Sequence, residues 1–403
     1  MARWKAGIAS VALALSSLLV PTPPATAAPD KPTPEPTVVQ ECGADLKQHA
    51  AKIAATEKSE TATCIRKQAR KTGPATTDAG VAAAADICGG RATLSRTAAC
   101  VIEDGLLLIF TVPNGVVIGS IQFTVSSLTT LDYSSLRWSQ SWHYQANSVS
   151  GPAIPVVLDT FVYAEPQCLA SCTVSSSGLV GGSALPGRVH STTTYFHSPL
   201  SGYKWGAHGG MRYWFANAGW VNPTTNPSIT APAVHRCDDA LTGYPSGCVY
   251  DSVVPMHDVL SYRYPSYARH LQLAINHFKM TNLLTRTQNE TLMANNYNRA
   301  CPPGRPDPPL PGVWSCDEYP FKSTYNGAYS QPYGRNIFIF NWNTAYEFNC
   351  RATWLTMRVS TDSGGYSACM IPLAENTLGG ADLGAFYYKS RVLDGDQFQV
   401  RVI

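Results

Sequence analysis

The alternation of apolar and polar positions changes character several times along the chain. Leu106 to Phe110 is an apolar run, Pro113-Asn114-Gly115 follows it, and Val116 to Val125 resumes the β-type pattern. Asn-Gly between two such runs predicts a hairpin. Up to about Val234, short runs rich in Val, Thr, Tyr and Trp alternate with Gly, Pro and Ser. That pattern predicts a β-rich, sandwich-like region over 105–235. Upstream, 39–104 is rich in Ala, Lys and Thr and reads as a helical segment, with a candidate helix over Asp45–Ala55. After Cys237 the period lengthens. Leu271, Ala274, Ile275, Phe278 and Leu283 fall near one helical face and predict a helix over Tyr267–Leu284. Asn336–Phe340, Arg351–Val359 and Met370–Leu373 read as strands, and Asn376–Ser390 reads as a helix that Asn376 or Thr377 can cap. Asp394-Gly395 is a turn, after which Phe398, Val400 and Val402 alternate as a closing strand. The expected fold class is an α+β carboxyl-terminal region, 236–403, behind a β-rich one.

The amino-terminal pattern is of another kind. Arg3 and Lys5 precede an uncharged apolar run, Ala6–Val20, and the small residues Ala25-Thr26-Ala27-Ala28. This three-part order predicts a secretory signal peptide over 1–28. The run is shorter than the ~20 residues a bilayer-spanning helix needs, so a secreted, extracellular protein with no membrane association is expected. Four prolines within 29–38 predict an extended linker. Twelve cysteines behind an export signal predict disulfides. Cys168 and Cys172 have a spacing that zinc could use, but no second close pair with His follows. Spacing does not fix the pairing, and the neighbours Cys237–Cys248 and Cys301–Cys316 are candidates.

Charge narrows the choice of partner. The chain carries a net +3, and Arg3 and Lys5 of the export segment hold two of those positives. From Cys237 to Ile403 there are 13 basic and 14 acidic side chains. Contact with a polyanion must therefore come from a local basic face or a bound cation. Trp138, Trp142, Tyr144, Trp205, Tyr213 and Trp214 either line a ligand groove or fill a β core.

The most pointed local chemistry is Cys316-Asp317-Glu318-Tyr319-Pro320-Phe321. Adjacent carboxylates raise each other's pKa unless a cation sits nearby. Such a pair can bind a hard metal ion, or one member can take a proton from water; a solvated Asp-Glu in a loop is the plainer alternative. His270, on the predicted helix after Arg269, is a candidate base, metal ligand or phosphate contact, or a structural histidine. His277 is a weaker candidate. Glu375 and Asn376 stand where a strand meets a helix, and their oxygens can hold a cation, or Asn376 serves only as the helix cap.

Three segments, in order, resemble the NucA/NucB family of secreted bacterial deoxyribonucleases. They are Arg236-Cys237-Asp238 to Gly247-Cys248-Val249 with the Ala268-Arg269-His270 helix, the Cys316–Phe321 block, and Glu375-Asn376 through Arg391-Val392-Leu393-Asp394-Gly395-Asp396. The resemblance covers about 237–403. It implies a metal-dependent endonuclease related to ββα-metal nucleases, acting on DNA with Mg²⁺ or Mn²⁺. Asp317, Glu318 or His270 would take the proton from water, and Glu375 and Asn376 would hold the metal, with Glu318 as a further ligand. Arg269, Lys322 and Arg335 are candidate phosphate contacts. Three alternatives stay open: a carbohydrate- or protein-binding β protein with an inactive tail, a glycosidase using the two carboxyls, and a toxin nuclease with a cognate inhibitor protein. Adjacent strand residues point to opposite faces, which argues against a facing carboxyl pair.

Overall fold

The computed structural model describes residues 42, 45–56, 58, 60–68, 87–153, 157–166, 173–176, 182–183, 189–198, 205–216, 228–230, 233–303, 312–334 and 364–403. The expected export segment and linker, the strands expected at 336–340 and 351–359, Cys168, Cys172 and Arg335 lie outside the described residues. No helix among the described residues is long and apolar enough to cross a membrane.

Helix α1 (Leu46–Thr56) begins where Asp45 Oδ1 accepts from the amides of Lys47 (2.9 Å) and Gln48 (3.3 Å). A side-chain acceptor at a helix start satisfies amides that have no partner within the helix. Apart from a short 3-10 turn at Gly151–Ala153, the other regular elements among the described residues of the amino-terminal half are strands: β1 (Thr61–Gln68), β2 (Thr93–Leu94), β3 (Ala98–Thr111), β4 (Val117–Thr130), β5 (Arg137–Ser150), β6 (Val157–Pro166), β7 (Thr173–Ser176), β8 (Gly182–Ser183), β9 (Val189–His197), β10 (Trp205–Ala216), β11 (Ser228–Thr230), β12 (His235–Asp238) and β13 (Gly247–Val249). One antiparallel sheet runs β1-β3-β4-β5-β9-β7 with β2 on β3, and a second runs β13-β12-β10-β6-β8 with β11 on β10. The β3–β4 hairpin turns at Asn114-Gly115, as the sequence predicts.

Strand alternation explains how the two sheets share a core. Ile121, Phe123 and Val125 of β4 and Trp138, Trp142 and Tyr144 of β5 cluster with Met211, Tyr213 and Phe215 of β10. Phe123 meets Tyr213 edge-on at 5.8 Å and Phe215 at 5.0 Å. Four of the six singled-out aromatics are therefore core, and the side chains of Trp205 and Trp214 lie outside the described residues. The sequence boundaries shift in two places. The segment 39–104, read as helical, contributes β1 and the first half of β3 to the sheet. The segment from 236 to Val249, assigned to the carboxyl-terminal region, pairs with β10 instead.

The carboxyl-terminal region is α+β. Its main helices and strands among the described residues are β14 (Met256–Val259), α2 (Pro265–Gln272), β15 (Leu283–Thr285), α3 (Glu290–Ala300), β16 (Trp314–Tyr319), β17 (Ser367–Pro372), α4 (Leu373–Lys389) and β18 (Gln397–Val402). β18 pairs in parallel with β14 and antiparallel with β15; β16 and β17 form a separate antiparallel pair that leads directly into α4. The helix expected over Tyr267–Leu284 is shorter. It passes into a π turn over Leu273–His277, Lys279 turns the chain at φ 57°, and Leu283 and Leu284 join the sheet. Cys237–Cys248 joins β12 to β13, and Cys301–Cys316 ties the end of α3 to β16, the two neighbouring pairs named as candidates. Cys42–Cys64 and Cys88–Cys100 are also bridged, which fits an oxidising compartment.

A buried ionic seam joins the regions. Arg391, fully buried, donates to both the carboxylate and the carbonyl oxygen of Asp238, and to the carbonyls of Tyr133 and Pro245 (both 2.9 Å). Arg236 grips Asp396 through two bonds (3.0 and 2.8 Å) and also reaches the Arg391 carbonyl (2.7 Å). Arg96 donates to the carbonyls of Ser390 (2.7 Å) and Arg391 (3.0 Å). Arg391 sits at φ 44°, a region costly for a side chain with a Cβ, and its guanidinium contacts hold it there. Removing one partner of a buried pair strands the other charge, at a cost of about 3–5 kcal/mol. Arg391→Ala should therefore lower the unfolding free energy extrapolated from urea titrations by an amount of that order. Arg263→Ala, which breaks an exposed pair with Asp382 (2.9 Å), should cost less than about 1 kcal/mol. Equal losses in the two variants would contradict the assignment.

Candidate functional site

β16 carries the two adjacent carboxyls on opposite faces. Ser315, Asp317 and Tyr319 alternate with Trp314, Cys316 and Glu318. Tyr319 packs with Cys369 and Ile371 of β17 and with Tyr267 and Leu271 of α2, whereas Cys316 packs with Ala300, Ala328, Ala368 and Met370. Asp317 thus faces α2 and α4, and Glu318 faces α3.

Asp317 and His270 are 4% and 0% exposed. His270 Nδ1 lies 2.6 Å from Asp317 Oδ2, and its Nε2 lies 2.8 Å from Ser367 Oγ on the neighbouring strand. Burial raises the Asp317 pKa, and the His270 contact pulls against that shift. Both ring nitrogens of His270 are engaged and sealed from solvent, so His270 cannot take a proton from a bound water. It acts through Asp317, as a positioning residue. Ser367, buried opposite Tyr319 in the register, carried no signal in the sequence.

Glu318 differs from its neighbour in access. It is partly exposed, and its Oε1 accepts from the Lys322 amide at 3.2 Å. Burial first, and the charge of Asp317 second, push its pKa up to about 8. Such a carboxyl exchanges its proton close to neutral pH, which suits an acid or base in catalysis.

The first turn of α4 meets this strand. Asn376 Nδ2 donates to Ser315 Oγ (2.8 Å) and to the Cys316 carbonyl (3.0 Å). Asn376 is therefore not the helix cap; α4 starts at Leu373, with Pro372 before it. Glu375 turns to α2 instead. Its Oε2 accepts from the amides of Ser266 (2.6 Å) and Tyr267 (3.4 Å), and its Oε1 from Ser266 Oγ (3.3 Å). Tyr264, at the N-cap of α2, makes no side-chain cap bond, so Glu375 supplies the missing acceptor across the fold. Gly379 permits the close packing of the helices, since a Cβ there would lie 2.8 Å from the Tyr267 ring.

These contacts revise the expected cation site. The sequence placed oxygens of residues 317, 318, 375 and 376 around one ion. Glu318 lies on the other face of the strand pair from Asn376, both oxygens of Glu375 are engaged by α2, and the Asn376 amide is bound to β16. Among the described residues no three His, Cys, Asp or Glu side chains converge as a metal would need, so the donor set does not fit the ion as expected. Arg269 is exposed and bonds Gln272 (3.2 Å); His277 is exposed; Lys322 is exposed, its Nζ 5.1 Å from the centre of the Tyr297 ring. In sequence comparisons the chain matches no protein-family model and no curated protein.

The raised Glu318 pKa has a consequence for stability. An acid whose pKa is higher folded than unfolded binds more protons in the folded state between the two values. Stability therefore falls as pH climbs from the ordinary glutamate value of 4.5 to about 8. Thermal melts across this window should show that decline in the wild type and a shallower one in Glu318→Gln, which should also melt higher at pH 8. Parallel curves would show that Glu318 is not held out of its ordinary range.

Proposed function

We propose that the carboxyl-terminal region is a secreted phosphodiester hydrolase that cleaves DNA internally, with Glu318 as the group that takes the proton from water. The observation that carries this reading is the bond from Asn376 to the Cys316 carbonyl. It joins the first turn of α4 to the residue before Asp317-Glu318, so two of the three segments that resemble the NucA/NucB family occupy one place. In this reading β16, β17 and α4 would stand for the strands and helix of the ββα-metal arrangement which that resemblance implies.

The roles follow from access and charge. Glu318 reaches solvent and titrates near neutral pH. Burial raises the Glu318 pKa first, and Asp317, which His270 holds while Ser367 engages the other ring nitrogen, adds its charge to that shift. Lys322, whose amide Glu318 accepts, brings a cation to where a phosphate oxygen gains charge in the transition state. Arg269 is a second phosphate contact in this reading. Mg²⁺ or Mn²⁺ enters as a variable of the assay, and no step is assigned to it. Two acids on opposite faces of one strand disfavour the glycosidase alternative.

Supercoiled plasmid incubated with the purified protein should be nicked and then degraded, with rates compared in Mg²⁺, in Mn²⁺ and in chelator. Losing a general base costs about 10²–10⁴ in rate, so Glu318→Gln should fall by that factor while melting as a folded protein. A folded wild type that leaves plasmid intact under all three conditions would sink the reading, as would full activity in Glu318→Gln.

A further inference from the structure

Beside Glu318 and Lys322 lie three side chains that the hydrolytic roles leave unexplained, Tyr297, Tyr329 and Arg299. Tyr297 and Tyr329 are 39% and 56% exposed, so their rings are open to a ligand. Lys322 and Arg299, both exposed, flank them. The four are built on one frame. Asn296, fully buried, donates to the carbonyls of Lys322 (2.8 Å) and Thr324 (2.9 Å) and accepts from the Tyr329 amide (3.0 Å). Arg299 Nη1 donates to the Tyr329 carbonyl (3.1 Å). Gly327 lets the loop close, because a Cβ there would collide with the Asn296 side chain. The disulfide Cys301–Cys316 then fixes the end of α3 to the strand that bears Glu318. The two rings and two cations are thus presented on covalently tied, hydrogen-bonded backbone.

We infer that Tyr297, Tyr329, Lys322 and Arg299 form a binding platform for single-stranded nucleic acid, which delivers an unpaired strand to Glu318. An exposed aromatic ring stacks on the face of a base only when that base is free of its own duplex stack, and nearby cations meet the phosphates between bases. A region with 13 basic and 14 acidic residues has no general attraction for a polyanion, so binding needs a local feature, and the pairing of these rings with Lys322 and Arg299 is one. The inference deepens the hydrolase reading and rests on it for the identity of the polymer. It adds a preference for unpaired over paired strands.

Binding is measured with the full chain in chelator, by the anisotropy of a fluorescein-labelled thymidine oligonucleotide of about 12 nucleotides, within the site sizes typical of such platforms. The same oligonucleotide annealed to its complement is the duplex arm. The single strand should bind more tightly than the duplex. Tyr297→Ala and Tyr329→Ala should each weaken single-strand binding by about 5- to 100-fold. Tyr297→Phe and Tyr329→Phe, which keep the ring, should bind as the wild type does. Lys322→Ala and Arg299→Ala should each reduce the slope of log affinity against log salt by about 0.7. Equal affinity for duplex and single strand, no binding by the wild type, unchanged binding in the alanine variants, or equal loss in the phenylalanine variants would overturn the inference. Single-strand binding with these dependences but no plasmid cleavage would remove the hydrolase and leave the platform. Cleavage without them would do the reverse.

Discussion

A carboxylate buried among tyrosines and aliphatic side chains needs a partner, and Asp317 has one in His270. That contact does more than neutralise a local cost. His270 is on α2 and its second nitrogen meets Ser367 on β17, so one imidazole joins a helix to both strands of an antiparallel pair. The geometry of β16 is set by it, and with it the direction of Glu318 on the opposite face. Glu375 reinforces the arrangement from α4 by accepting the amides at the start of α2. Asn376 closes the remaining side by binding the Cys316 carbonyl. The residues that first suggest metal ligation are, in the structure, the ones that lock helices to the strand pair.

The seam between the regions has a similar character. Arg236, Asp238, Arg391 and Asp396 belong to the segments that resemble the nuclease family, yet their side chains are turned to one another and to backbone carbonyls. Their charges hold the strands β12 and β13 against the turn after α4. A carboxyl-terminal fragment beginning at 250 would leave Arg391 without Asp238, so the β-rich region is part of the structural unit that supports the site.

Features set by neighbours in sequence were legible in advance. Asn114-Gly115 marks its hairpin, Asp45 starts its helix, and the alternation of Phe398, Val400 and Val402 marks the last strand. Within 39–104 the helix at Asp45 is legible but β1 is not, because its apolar pattern is weak and it becomes a strand by pairing with β3, some 40 residues later. The helix from Tyr267 ends sooner than its period implies, because pairing with β18 claims Leu283 for a strand. At the site, Asp317-Glu318 was conspicuous as a local pair and its two-faced geometry followed from strand alternation. The role of His270 was not readable, since its partners lie 47 and 97 residues away. Tyr297 and Tyr329 gave no periodic signal at all, and only the frame around Asn296 brings them beside Lys322.

The central claim of the proposed function is that Glu318 is the base, its pKa raised first by burial and then by the charge of Asp317. The pH dependence of plasmid cleavage, compared between the wild type and Asp317→Asn, tests it most directly. In the wild type, activity should rise with pH as Glu318 ionises, along a limb centred at about 8. Removing the charge of Asp317 should move that limb to lower pH while some cleavage persists. A limb that stays in place, or that moves to higher pH, would contradict the account.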